Sequence, residues 1–100
     1  MAIKLCDETY KNALLSVVIT ELINSAIWNA EYPPNTDETV GFALASIAFQ
    51  KFVQDNSSDV IIATLNCDIT FIQQIIRLPL AKLLVIRNAF LNFSESFSVK

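Results

Sequence analysis

The chain has 100 residues, 53% hydrophobic and 17% charged, the size of one domain and the apolar side of ordinary globular usage. It contains no histidine, one glycine and two cysteines, which excludes Ser-His and Cys-His catalysis, imidazole metal ligation, glycine-rich phosphate or dinucleotide loops, and a paired-cysteine zinc site. A formal charge of −3 argues against nonspecific nucleic-acid binding, which depends on a cationic surface.

The N-terminus, MAIKLCDE, has no basic start followed by an apolar run and a cleavage site, so no signal peptide is expected and the protein is placed in the cytoplasm. Asp7 and Glu8 supply an N-cap and a first-turn acid to a helix running to about Glu31, where Tyr32-Pro33-Pro34 stops it because proline cannot extend a hydrogen-bonded helix. Between Asn12 and Ala30 the only formal charge is Glu21, and the Leu, Val and Ile side chains point all round the helix circle. Such a helix is expected to be covered on every side, at the centre of a bundle or the seam of an oligomer. The stretch has the length of a membrane span, but seven of its nineteen residues are polar and Glu21 sits mid-span, so no membrane insertion is expected. Glu21 has no companion acid, base or metal ligand at helical spacing, and a structural role at the rim of the bundle is expected for it.

Asn35 or Thr36 caps a second helix, Asp37 to about Gln54, whose Gly41, Ala43, Ala45, Ser46 and Ala48 allow close approach of the first. Asp55-Asn56-Ser57-Ser58 reads as a turn, and a Ser58/Asp59 cap frames Val60 to Leu65 as two turns of helix. Asp68 opens Ile69 to Arg77, and Pro79 either kinks that helix or starts a new one, Leu80 to about Asn92. Leu91, Phe93, Phe97 and Val99 then alternate with Asn92, Ser94, Ser96 and Ser98, the period of an extended segment. The expected fold is therefore all-α, a four- or five-helix single-domain bundle spanning 1–100, with an extended C-terminal tail over 93–100.

Charge is unevenly spread. Residues 1–68 hold three basic and nine acidic residues, net −6, while 69–100 hold four basic residues against Glu95, net +3. Arg77, Lys82 and Arg87 step by five, about 140° apart on a helix, so they make no stripe for a phosphate backbone and read as solvated charges. Nucleic acid is not expected as a partner. Trp28, Tyr32, Phe49, Phe52, Phe71, Phe90 and Phe93 belong to a core or line an apolar cavity, and Phe93 and Phe97 near the terminus are candidates for a contact with another protein. No catalytic, cofactor-binding or metal residue is expected. Elimination leaves a non-catalytic protein–protein interaction module, a small accessory subunit, inhibitor or assembly factor that self-associates, with Trp28, Tyr32, Arg77, Lys82, Arg87, Phe93 and Phe97 as contact candidates. The alternative is a binding protein for an apolar small molecule held within the bundle.

Overall fold

The computed structural model describes the backbone of residues 7–31 and 36–96, with side chains described over 7–25 and 44–96. Five helices follow one another, α1 (Asp7–Glu31), α2 (Thr36–Asp55), α3 (Ser58–Leu65), α4 (Ile69–Ile75) and α5 (Leu80–Ser96), and no strand occurs among the described residues. The molecule is an all-α bundle of principal dimensions 46 × 25 × 20 Å.

Local chemistry accounts for the helix ends. Ser57, in an extended conformation, caps α3 by accepting from the Val60 N–H at 3.4 Å. That is one residue before the expected Ser58/Asp59 cap, because Ser58 already lies inside the helix. Its own N–H, an end group without an intrahelical acceptor, donates instead to Asp7 Oδ1 at 3.3 Å. The Ser58 hydroxyl donates to the same oxygen, so the first residue of α1 also serves the first turn of α3. Asn56 closes α2 by donating through Nδ2 to the Phe52 carbonyl at 2.8 Å. Asp68 caps α4 by accepting from the Thr70 N–H at 3.4 Å. Pro79 begins a new helix: its carbonyl accepts from the Lys82 and Leu83 N–H groups, both at 3.1 Å, and the axes of α4 and α5 differ by 107°.

The core is one cluster. α1 contributes Tyr10, Leu14, Val18 and Leu22, α2 contributes Ala45, Phe49, Phe52 and Val53, and α5 contributes Leu83, Ile86, Ala89, Phe90 and Phe93, closed at one end by Ile61, Leu65, Ile72 and Ile76. α1 packs chiefly on α2 and α5, and α4 packs on α5. Side chains at the start of α1 meet those at the end of α2 around a cavity of about 260 Å³ lined by Glu8, Lys11, Asn12, Leu15, Val53 and Gln54, so the pair is antiparallel.

One expectation is corrected here. The C-terminal segment is not extended from residue 93, since α5 continues to Ser96. Phe93 stands on that helix, 3% exposed, with its ring edge-to-face against Tyr10 at 5.2 Å. Leu83, Ile86, Phe90 and Phe93 recur at helical spacing, and their burial decides the conformation over the period-2 pattern of the surface residues. Phe97 and the rest of 97–100 lie outside the described residues. Within one copy of the chain α1 is not enclosed as a central helix would be, for Val17, Glu21 and Ile23 are exposed, which leaves the oligomer seam as the place where it would be covered. Two neighbouring helices cover one broad side of a helix and leave the other wet. No single described helix is long and apolar enough to cross a membrane; α4 and α5 reach that length and composition only as a bent pair.

Candidate interaction surface

The apolar side chains left on the surface define the candidate site. Ile23 on α1 is 50% exposed, and Leu44 and Ile47 on α2 are 59% and 64% exposed. α1 and α2 pack on each other, with Lys11 and Leu15 beside Val53 and Gln54 at one end of the pair. A second set lies on the other side of the chain order: Phe71 and Ile75 on α4, and Leu80, Leu84 and Leu91 on α5. Scattered exposed apolar residues are ordinary, but these fall at helical spacing, Phe71 with Ile75 and Leu80 with Leu84 and Leu91, which makes stripes of them.

The three basic candidates fall into three environments. Arg77, in the break before α5, is exposed and lines an open cleft of about 310 Å³ with Lys51, Phe52, Asp55, Asn56, Ile75 and Ile76. The only ion pair there joins Lys51 to Asp55 at 3.5 Å, both well exposed, a pair of little energetic weight. Lys82 is not a solvated charge, being 8% exposed within α5. Its long aliphatic stem lets it occupy a position where the helix faces the core. Arg87 is half-buried; its Nε is shut off from solvent and makes no hydrogen bond. The structure therefore does not bring Arg77, Lys82 and Arg87 into one basic patch. Trp28 falls within α1, but its side chain, like Tyr32, lies outside the described residues.

Among the aromatic candidates, Phe49, Phe52, Phe90 and Phe93 are core, and Phe71 is on the surface. Burial pushes the Tyr10 hydroxyl up from its ordinary 10.0 to about 12. Asp7 is held below its ordinary value, chiefly by the hydrogen bond from the Ser58 side chain. The Cys67 thiol donates to the Ala63 carbonyl at 3.1 Å, a local helix contact. No group of three or more acidic or cysteine side chains able to hold a metal ion occurs among the described residues. Sequence reasoning passed over Ile23, Leu44, Ile47, Leu80, Leu84 and Leu91. Their signal was present as apolar positions lying off the core stripe of each helix, but only the packing partners say which stripe is the core.

No family model, curated protein or solved structure matches this chain.

Proposed function

We propose that the chain is a non-catalytic protein–protein interaction module, a small accessory subunit, inhibitor or assembly factor, that also associates with itself. The observation that carries this reading is the exposure of Ile23, Leu44 and Ile47, the last two among the most exposed large apolar side chains of the bundle. Contact with a protein surface removes that area from water at a gain of about 25 cal/mol per Å² before ordering costs. The two cavities described above have charged residues in their walls, and Glu21 stands on the surface, features that favour a protein partner over an apolar small molecule held inside.

Sedimentation of the purified chain at tens of micromolar tests the self-association. The expected mass is at least twice 11.2 kDa, falling toward one chain when Ile47 is changed to Asp. A monomer whose behaviour Ile47→Asp does not alter, and which captures no saturable protein partner when immobilised, would remove the support for this reading.

A further inference from the structure

α5 carries an apolar stripe of its own, apart from Ile23, Leu44 and Ile47. At about 100° per residue, Leu80, Leu84, Arg87 and Leu91 fall within roughly 60° of arc, a stripe about 16 Å long. The three leucines are close to half exposed. Arg87 sits between them with its Nε closed off from water, and its guanidinium makes no ion pair or hydrogen bond with the described residues. An apolar seam that holds an unpaired guanidinium is complementary to a surface that is apolar and acidic.

We infer that the Leu80–Leu84–Arg87–Leu91 face of α5 docks an acidic amphipathic helix of a partner protein, with apolar anchors on the leucines and a carboxylate opposite Arg87. The inference deepens the interaction-module reading and rests on it. Helix-on-helix docking reads the spacing i, i+4, i+7, i+11, which is the spacing of these four residues. A carboxylate can meet the guanidinium with two parallel hydrogen bonds, and that bond gains strength as the flanking leucines exclude water.

A second copy of the same face is a poor occupant. Laid antiparallel about its midpoint, the stripe would set Leu80 against Leu91 of the other copy and Leu84 against Arg87. Both guanidiniums would then enter one apolar seam within about a helical turn of each other, with no acid to separate them. The nearest acidic residue on the helix, Glu95, lies a turn beyond the end of the stripe. Three half-exposed leucines also fall short of the ~800 Å² per partner that a standard stable interface buries, so the docked helix exchanges readily.

A displayed library of amphipathic helices of about 15 residues tests the inference, with leucines fixed at the matching seam positions and the position opposite Arg87 and its neighbours randomised. Selection is made on the full chain. Asp or Glu is expected at the randomised seam position, and a synthetic peptide of the selected sequence should bind Arg87→Gln roughly tenfold more weakly. Leu84→Ser should weaken binding as well, and Arg87→Glu should turn the selection toward Lys or Arg. Circular dichroism of each variant separates loss of binding from loss of fold; if Arg87→Gln does not fold, Arg87→Lys, which keeps the charge and loses the paired donors, takes its place with the same expected weakening. Neutral or basic residues selected on the wild-type chain, or no enrichment above a Leu84→Asp bait, overturns the inference. Should the library fail while the chain still sediments as an oligomer, the acidic-helix inference falls and the interaction-module reading stands; if the chain is also monomeric and captures nothing, both fall.

Discussion

Tyr10 shows how a single buried hydroxyl ties stability to pH. Its folded value of about 12 lies above the 10.0 of an unexceptional tyrosine, because burial penalises the phenolate. The neutral form is therefore the one the fold accepts. The stability linked to it is complete below pH 10 and drains away as pH rises toward 12, by about 2 kcal/mol. Urea midpoints measured between those limits should fall for the wild type and change less for Tyr10→Phe; equal slopes would deny the burial its effect. Asp7 has the opposite sign. Held below its ordinary value by Ser58, it stabilises the fold at neutral pH and ceases to do so as acid protonates it, so Asp7→Asn should flatten the acid side of the same profile. Glu21, exposed on α1, should tolerate Glu21→Gln with both the thermal midpoint and the oligomer equilibrium unchanged.

Caps and breakers made the elements legible. Asp68 opens α4 and Pro79 starts α5 as the residues themselves dictate, since a side-chain acceptor beside unpaired N–H groups, or a ring without an N–H, acts within one turn. Replacing the α3 cap, Ser57→Ala, should cost about 1 kcal/mol, read as a shift in the denaturation midpoint at unchanged slope. The end of α5 was not legible in the same way. Leu91 to Val99 alternates on paper, yet Phe93 belongs with Ile86 and Phe90, seven and three residues back, and burial against neighbouring helices, Tyr10 among them, decides between the two periods. Truncation after Asn92 removes that ring contact and a buried phenylalanine, and should destabilise by about 3 kcal/mol or more. An unchanged thermal midpoint would mean that the last turn of α5 contributes no packing. The candidate surface lay beyond reach for a related reason. Whether an apolar residue such as Ile47 or Leu84 is core or surface depends on which stripe its neighbours happen to cover.

At the scale of the molecule, a net charge of −6 in the first two-thirds and +3 in the last third is only partly resolved by contact. α5 packs on α1, but Lys82 is drawn inside and Arg87 is left among leucines, so the charge of the last third reaches the surface as separate points. The two proposals invoke separate residues, Ile23 with Leu44 and Ile47 for self-association and Leu80, Leu84, Arg87 and Leu91 for capture of an acidic helix. They should not compete: a bound acidic peptide is expected to leave the sedimentation coefficient distribution of the oligomer in place, and displacement of one chain by the peptide would show that a single surface serves both.

The Tyr10–Phe93 contact joins the first helix to the fifth, and this has a bearing on how the protein is made. A ribosome adding ~5–20 residues per second takes several seconds to pass from α1 to the end of α5. Throughout that interval α1 can pair with α2 but has nothing to seal the side that α5 will occupy. The order of the helices thus sets how long the apolar side of α1 that faces α5 waits for its cover.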